Sequence, residues 1–544
     1  MILLKDHNNK LKEFFERKNY TELENLVETF GDLNKLPTYV LDIYATSKAL
    51  NNKSKKRDYK ISAFYFEKIY SRDKSNKNAF YNLIVVSVKA TFFGYLEGHI
   101  IQEYATNKKD PKVLEGLAKM YFFYNEMDKV TFYYEKLLEI NPKPINIWSS
   151  FLASLNYHLK YDQNKYLEFC KKFDNSNKIT ANTFKEIKKK NKRIKIGFLS
   201  SDFKNHSVSL FLNTFLNKLD KKEFEIVALS NLDLSLNDDM TENLKRVFDE
   251  WYDIDSLTDE KLIKFTRSLN LNVIIDLSGF TFNNRINMLR ARCAKVQISW
   301  LGYCNSLGVR NIDYIISDQN LIKKNEEDQY TEKVLYMPNI WNCLSKPNYL
   351  PEITNSKNNF TYGSFNNFQK ISFETIKVWS KILNKTNAKL ILKSSFSSDE
   401  NKSTEILLEK FKKYNVDLNK INILKTTKTI GEHLNCFNEI DVSLDTFPYP
   451  GVTTSFQSIL MGVPVLTMRG FNFNSRCGES INKNLNLDHF IAKNENDYFI
   501  KALDLSKKKM SLEQKKELRS KALKSNLFDI STFTKDFSTI IKSL

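Results

Sequence analysis

The fold of the second half of the chain is indicated most clearly by residues 440–470, IDVSLDTFPYPGVTTSFQSILMGVPVLTMRG. This stretch begins with a short apolar run, passes through a turn rich in proline, continues through an amphipathic segment and ends in a second apolar run. Apolar runs bounded by turn residues are typical of buried parallel strands, and an amphipathic segment between them is typical of a crossover helix. The stretch therefore predicts a strand–helix–strand unit whose helix begins near Thr453.

The turn within this stretch also predicts an anion site. The backbone N–H groups of Gly451, Thr453 and Thr454, with the two threonine hydroxyls, would face the carboxyl edge of the sheet at the start of a helix. The first N–H groups of a helix lack partners inside it, and the helix dipole favours negative charge there. A diphosphate fits this position. Ordinary N-capping by Thr453 or Thr454 is the alternative.

The same alternation of apolar runs and helical segments continues on both sides of this unit, over the chain from Arg193 onward. Short β-rich runs alternate with helical stretches in two series: IKIGFLS, FEIVALS, NVIIDLSG, VQISWLGY, DYIISD and KVLYMP, and then FTYGSFN, AKLILKS, INILK, IDVSLD, PVLTMRG and HFIAK. The pattern predicts two Rossmann-like α/β domains, at residues 193–345 and 355–544, with ligands bound in the cleft between them. Because no G-x-G-x-x-G or Walker A motif occurs, an ordinary dinucleotide oxidoreductase or P-loop ATPase is disfavoured.

The sequence pattern of residues 1–180 predicts a separate helical domain. Apolar residues recur at helical spacing, with a repeat of about 34 residues, the period of tetratricopeptide helix pairs. The best copy runs from Pro111 to Pro144, and weaker copies precede and follow it. A generic helical bundle is the alternative. Either architecture is expected to bind or pack against a partner rather than to carry chemistry.

Net charge, cysteine content and apolar runs indicate which partners and which compartment are expected for this protein. The chain of 544 residues carries 83 Lys+Arg and 64 Asp+Glu, a net charge of +19. The densest basic cluster, within residues 188–195, is expected to be a solvated linker, and no nucleic-acid-binding motif accompanies it. The six cysteines form no C-x-x-C pair, which indicates reduced thiols. No apolar run suits a membrane span or secretory signal, so a cytoplasmic location is expected.

Several motifs follow one another in a specific order: RIKIGFLSSDFKNHSVSLFL, IIDLSGFTFNNR, VQISWLGY, FNNFQKI and LDTFPYPGVTTSFQSILMGVPVLTMRGFNFNSR. In this order they resemble the catalytic region of protein O-linked N-acetylglucosamine transferases and their SPINDLY relatives, over about residues 193–544. The resemblance implies a GT-B fold behind tetratricopeptide repeats that recruit a protein acceptor. It also implies inverting transfer of a sugar to Ser or Thr hydroxyls, without metal or cofactor.

The donor implied by the resemblance is UDP-N-acetylglucosamine. GDP-fucose and UDP-glucose are alternatives, since donor choice rests on contacts that this sequence alters. An inactive, repeat-based scaffold is a third possibility, and a nucleic-acid binder a fourth.

The resemblance also assigns roles to single residues. His206, in SDFKNHS, matches a histidine near the reacting centre and is a candidate general base, with a structural imidazole as the alternative. Asp202 would orient His206 or, as we favour, cap the following helix. Lys370 matches a lysine that neutralises the leaving diphosphate. His433 is expected to contact the base or ribose of the nucleotide.

The remaining expected nucleotide-sugar contacts are Asn367, Gly451, Thr453, Thr454 and Gln457. Gln457 stands where relatives carry a ribose-binding acid. It can hydrogen-bond a ribose hydroxyl, but it lacks the second carboxylate oxygen.

Other departures from the family pattern are Val452, Phe280 and the loop 304–308, where relatives usually have Pro-Gly-Thr. These departures are expected around the donor and acceptor positions. Arg476, in FNFNSR, is expected to support the donor loop.

Overall fold

The computed structural model describes residues 2–51, 55–176, 184, 192–347, 349–355, 359–394 and 402–544. By contacts, the chain divides into two units, one of residues 1–141 with 398–404 and one of residues 142–397 with 405–544. Among the described helices, none is both long and apolar enough to cross a membrane.

The first unit is helical, as predicted. Its described helices are α1 (Ile2–Glu16), α2 (Tyr20–Glu28), α3 (Thr38–Leu50), α4 (Lys56–Arg72), α5 (Lys77–Ala90), α6 (Glu97–Thr106), α7 (Pro111–Phe123) and α8 (Met127–Ile140). The best copy of the sequence repeat is the pair α7–α8, which a short turn joins. Asp110 accepts hydrogen bonds from the first amides of α7, and Pro111 occupies its first turn, where no N–H is needed.

The second unit begins with two further helices, α9 (Ile145–Leu155) and α10 (Gln163–Ser176). The helical part of the sequence thus continues to residue 176, whereas the division between the units falls after Asn141.

The first α/β lobe follows. Its elements are β1 (Ile194–Ser200), α11 (Ser207–Leu216), β2 (Phe224–Ser230), α12 (Asp239–Val247), β3 (Glu250–Asp253), α13 (Asp259–Ser268), β4 (Val273–Asp276), α14 (Ile286–Arg290), β5 (Val296–Ser299), β6 (Tyr314–Ser317) and β7 (Lys333–Tyr336). The parallel strands lie in the order β3-β2-β1-β4-β5-β6-β7. Leu199 pairs with Asp276 and Ser200 with Ser230, so the loops after β1, β2 and β4 leave from one edge.

The second lobe repeats this plan. Its elements are β8 (Thr361–Ser364), α15 (Phe373–Lys385), β9 (Lys389–Lys393), α16 (Lys402–Lys412), β10 (Ile421–Leu424), α17 (Ile430–Asn435), β11 (Val442–Leu444), α18 (Thr453–Leu460), β12 (Val465–Met468), α19 (Cys477–Lys483), β13 (Ile491–Ala492), α20 (Glu495–Ser506), α21 (Leu512–Leu523) and α22 (Ile530–Lys542). Its parallel strands lie in the order β10-β9-β8-β11-β12-β13. Both orders are doubly wound, which confirms the predicted pair of Rossmann-like lobes.

The C-terminal helix α22 joins the two lobes through an aromatic core. Phe537 lies with its ring centroid 4.6 Å from Phe215 of α11 and 5.2 Å from Trp300, which follows β5. Phe533 packs on the same two rings. One apolar core therefore contains residues of both lobes and of the final helix.

The basic cluster before β1 is only partly described. Lys188, Lys189 and Lys190 lie outside the described residues. Lys195 lies within β1 and binds Glu225 at 3.0 Å and Glu250 at 2.8 Å. This end of the cluster is part of the sheet, so the interpretation of the whole cluster as solvated linker was wrong there.

Candidate active site

The turn that follows β11 is built around the buried carboxylate of Asp445. Its Oδ1 accepts hydrogen bonds from Gly451 N at 2.7 Å, from Thr446 N at 3.0 Å and from Asn366 Nδ2 at 3.0 Å. Its Oδ2 accepts from Thr467 Oγ1 at 2.8 Å. Burial raises the pKa of Asp445. These bonds link the ends of β8, β11 and β12 and fix the path of the turn.

The Gly451 amide is therefore used inside the protein, and the prediction that it faces the ligand was wrong. Gly451 has a different role, because a Cβ there would collide with Thr454 Oγ1 and Asn366 Oδ1. Asn366 Oδ1 already accepts the Thr454 hydroxyl at 2.5 Å. Only glycine allows the turn to pass this close to the start of α18.

Helix α18 begins at Thr453, as predicted, and its N-cap is Val452, which supplies no side-chain cap. The alternative of N-capping by Thr453 or Thr454 is thereby excluded. Within the part of the chain that the structure describes, neither threonine amide has a hydrogen-bond partner, and both residues are partly exposed. The start of α18 keeps donors for an anion.

Lys370 lies beside this helix start. It ends a short turn after β8, and its Nζ donates to Pro450 O at 3.0 Å. The same Nζ lies 4.0 Å from the ring centroid of Tyr449, whose other neighbour is the ring of Tyr157 at 4.9 Å. Burial lowers the pKa of Lys370, and the Asp445 carboxylate opposes that shift. The result is a partly desolvated cation held against the turn.

Asn367, the residue that opens the Lys370 turn, is its N-cap position and provides no side-chain cap. Its backbone carbonyl accepts the amide of Lys370 at 2.9 Å. A ligand contact for Asn367 stays a prediction.

His433 and Gln457 meet one helical turn farther along α18. His433 Nε2 lies 3.1 Å from Gln457 Oε1, and His433 Nδ1 lies 2.7 Å from Lys393 Nζ. Burial, and then the Lys393 cation, lower the pKa of His433. Sequence reasoning found His433 and Gln457 but missed Lys393. The available signal was its place at the carboxyl end of the apolar run AKLILK, which contains β9.

His206 lies at the opposite lobe, where it is the N-cap residue of α11. Its Nδ1 accepts from Val208 N at 3.4 Å, and Asp202 Oδ2 lies 3.7 Å from that nitrogen. His206 rather than Asp202 caps the helix, so our preference for Asp202 as the cap was wrong. The His206 side chain is 44% exposed, which leaves it accessible to a substrate.

Helices α11 and α18 contact each other through aromatic residues near their N-terminal ends. Phe211 of α11 and Phe456 of α18 pack edge to face with ring centroids 5.3 Å apart. Since His206 precedes α11 and Thr453 begins α18, the candidate base and the candidate diphosphate site belong to two neighbouring helices.

The loop 304–308 has a structural role. Asn305 exchanges side-chain hydrogen bonds with Asn156 and Gln163, which flank the loop between α9 and α10. Gly308 has a φ of +63° and abuts Cys170 of α10. Phe280 packs against α10 as well, on the ring of Phe173. Phe280, Asn305 and Gly308 lie against α9 and α10. Cys304 instead interacts electrostatically with Lys370 of the candidate site, and Val452 and Gln457 lie at the start of α18.

Arg476 ties the loop after β12 to the first lobe. Its Nη2 donates to Glu326 Oε1 at 3.0 Å, its Nη1 donates to Leu321 O at 3.1 Å, and its Nε donates to Gly470 O at 3.0 Å. This geometry fits the expected support of the loop. Across the described ranges, no group of three or more His, Cys, Asp or Glu side chains forms a candidate metal site. Metal independence stays a prediction.

Comparisons with known proteins agree with this architecture. A family model described as Glycosyl transferase family 41 matches residues 150–357 and 352–537. A Solanum lycopersicum protein named "Probable UDP-N-acetylglucosamine–peptide N-acetylglucosaminyltransferase SPINDLY" is 31% identical over 359 residues, which cover 64% of this chain and 38% of the relative. The Hordeum vulgare protein of the same name is 30% identical over 360 residues, with the same two coverages of 64% and 38%.

Among solved structures, a mutant of the Thermobaculum terrenum O-GlcNAc transferase matches with a TM-score of 0.82 at 22% identity. The match covers 94% of this chain and 98% of that one, and shows a shared fold. The chain spans well under half of the length of the SPINDLY relatives, at 38%.

Proposed function

The chain belongs to glycosyl transferase family 41, and from this premise we propose that it transfers N-acetylglucosamine from UDP-N-acetylglucosamine to Ser or Thr hydroxyls of a protein. The proposed reaction inverts the anomeric centre and needs no metal. The helical repeats of the first unit would recruit the protein acceptor. A likeness to relatives named as peptide N-acetylglucosaminyltransferases supports the choice of donor and acceptor.

The observation that carries the proposal is the start of α18 beside Lys370. Among the described residues, the amides of Thr453 and Thr454 have no hydrogen-bond partner, and Lys370, which burial partly desolvates, donates to Pro450 O just before this helix start. Fixed donors and a cation in a partly buried site stabilise negative charge better than water does, because they need no reorganisation. This arrangement suits the diphosphate of a nucleotide sugar.

In the proposed reaction, an acceptor hydroxyl oxygen forms a bond to the anomeric carbon of the sugar. The bond from that carbon to the diphosphate oxygen breaks, and the electron pair leaves with the diphosphate. Lys370 and the α18 amides would stabilise the charge that develops there, in place of a divalent cation. The hydroxyl proton passes to a base on the first lobe.

His206 is the candidate for that base, but its hydrogen bond in the structure leaves neither ring nitrogen free to accept a proton. While Nδ1 accepts from Val208 N, a neutral imidazole carries its proton on Nε2 and cannot accept another there. If Nδ1 instead donates to Asp202, now 3.7 Å away, Nε2 becomes free to accept the proton. We therefore expect Asp202 to approach His206 when the acceptor is bound.

The test is a transfer assay with the purified full chain. Radiolabelled UDP-N-acetylglucosamine, GDP-fucose and UDP-glucose are each incubated with the protein and a mixture of candidate acceptor proteins. Label transfer from UDP-N-acetylglucosamine alone supports the proposal, and transfer from another donor replaces the donor assigned here. If no donor is transferred or hydrolysed, the catalytic proposal is wrong and the scaffold alternative stands.

A further inference from the structure

Lys393 is a buried ammonium group that the proposed chemistry has not used. It ends β9 with 6% of its surface exposed, and burial lowers its pKa. Its Nζ lies 2.7 Å from His433 Nδ1 and donates to Thr427 Oγ1 at 3.3 Å. Because Lys393 is buried and contacts a histidine of the proposed ligand site, its hydrogen bonds indicate its function.

The direction of these hydrogen bonds follows from the chemistry of the partners. An ammonium group only donates, so His433 Nδ1 must accept from Lys393. A neutral imidazole then carries its proton on Nε2, and this N–H donates to Gln457 Oε1 at 3.1 Å. With its oxygen turned to His433, the carboxamide of Gln457 has its NH₂ group on the other side. Lys393 thereby determines which end of Gln457 is left for a ligand.

Gln457 lies on the same face of α18 as the proposed diphosphate site. Residues three or four apart on a helix are neighbours, and Gln457 follows Thr453 and Thr454 at these spacings. The group attached to a diphosphate bound at the helix start would reach Gln457, and in a nucleoside diphosphate that group is the ribose.

We propose that Lys393 is a positioning residue of the donor site: it fixes the tautomer of His433 and so directs the NH₂ of Gln457 at an acceptor oxygen of the nucleoside. The inference rests on the proposed function, because it needs a nucleoside diphosphate in this site. With this arrangement, the protein donates a hydrogen bond to the nucleoside through Gln457 and does not accept one there.

The arrangement predicts a pH dependence with a definite sign. His433 must be neutral to accept from Lys393, so nucleotide binding weakens as pH falls through the pKa of His433. The groups that face His433 are Lys393 from β9 and Gln457 from α18, with the rings of Phe365 and Phe437 against it. The titratable Cys436 lies near Lys393, and burial raises the pKa of its thiol. Removing the Lys393 charge raises the pKa of His433, and binding then weakens at a higher pH.

The experiment is calorimetric titration of UDP, and in parallel of GDP, into the full chain at a series of pH values from about 5.5 to 8.5. Lys393→Met is expected to bind UDP about tenfold more weakly at neutral pH, the effect of one lost hydrogen bond in a buried site. The acid midpoint, which is the pH at which half of the UDP affinity is lost on acidification, is expected to be higher for this variant than for the wild type. Lys393→Arg, which keeps a charged donor, is expected to restore both values.

Lys420→Met is the matched control. Lys420 is a partly buried lysine of the same lobe that donates to two backbone carbonyls, Leu383 O and Thr386 O, and within the described part of the chain no contact links it to His433. It is expected to leave UDP affinity and the acid midpoint unchanged. If Lys393→Met does not fold, Lys393→Gln decides, because it keeps a donor for His433 without the charge. That variant is expected to retain affinity above neutral pH and to raise the acid midpoint.

A Lys393→Met or Lys393→Gln protein with the wild-type affinity and the wild-type acid midpoint would overturn the role of Lys393 while leaving the proposed function intact. A wild-type protein that binds neither UDP nor GDP at any pH would instead overturn the proposed function, and this inference with it.

Discussion

Replacing Lys370 by methionine removes the cation of the proposed diphosphate site while keeping a side chain of similar length. In the structure, Lys370 Nζ lies 3.0 Å from Pro450 O and 4.0 Å from the Tyr449 ring centroid. An oxygen of the leaving diphosphate that takes a place among these neighbours would lie about 4 Å or less from Nζ. Two unit charges about 4 Å apart interact by about 4 kcal/mol at an effective dielectric constant of about 20.

That energy acts mainly on the transition state, because the diphosphate gains charge as the glycosidic bond breaks. A difference of about 4 kcal/mol corresponds to a rate change of about 10³-fold. Loss of one preorganised donor in other enzymes costs about 10²- to 10³-fold in kcat, which agrees with this value. We therefore expect kcat of Lys370→Met to fall by about 10²- to 10³-fold, with a much smaller change in KM for the acceptor.

The assay is the initial rate of label transfer from UDP-N-acetylglucosamine, with Lys420→Met as the matched control. Folding is checked by thermal denaturation. Because burial lowers the pKa of Lys370, the folded protein disfavours its charged form, and its removal is not expected to lower the melting temperature. A folded Lys370→Met protein with kcat within threefold of the wild type, about 0.7 kcal/mol, would refute the leaving-group role.

Three other substitutions test separate parts of the account. Gly451→Ala is expected to lower the free energy of unfolding by about 1–3 kcal/mol, because its Cβ would collide with Thr454 and Asn366, and to weaken UDP binding in calorimetry. A variant as stable as the wild type would contradict the close approach of the turn to the start of α18. Asp202→Ala is expected to lower kcat about tenfold without changing UDP affinity, since it removes the carboxylate that is proposed to orient His206 as the base. An unchanged pH–rate profile would argue against that role. Arg476→Met is expected to cost about 1.5–3 kcal/mol in denaturant unfolding at neutral pH, because it removes the main hydrogen-bonding cation of the partly buried Glu326 and, among the described residues, leaves only Lys323, at 3.7 Å, as a charged partner. Since Arg476 holds the pKa of Glu326 below its usual value, this loss should be full above about pH 4.5 and fade as pH falls through the lowered pKa; a loss independent of pH would contradict the ion pair.

The strands and the helix start of the site were predictable because their signals are local. The run IDVSLD contains β11, and the change from a proline-rich turn to an amphipathic segment predicted the start of α18 at Thr453. The doubly wound strand orders follow from alternating apolar runs and crossover helices. The diphosphate site that the turn residues suggested stays a prediction.

The partners of the site residues were not predictable, because they come from separate strand ends. Lys393 and His433 are 40 residues apart, and Gln457 lies 24 residues beyond His433, so only the closed sheet reveals their hydrogen bonds. The use of the Gly451 amide by Asp445 depends on how a turn folds back on its own strand.

The same limitation applies to α9 and α10. By composition they continue the helical repeats, yet Asn156 and Gln163 form buried side-chain hydrogen bonds with Asn305, about 140–150 residues away, so they share a unit with the sheets.

The central claim is that the start of α18 and Lys370 hold the diphosphate of the donor. A crystal structure of the full chain with UDP tests it most directly. We expect diphosphate oxygens within hydrogen-bonding distance of the Thr453 and Thr454 amides and of Lys370 Nζ, with the ribose beside Gln457. UDP bound with its diphosphate away from both the helix start and Lys370 would contradict the account.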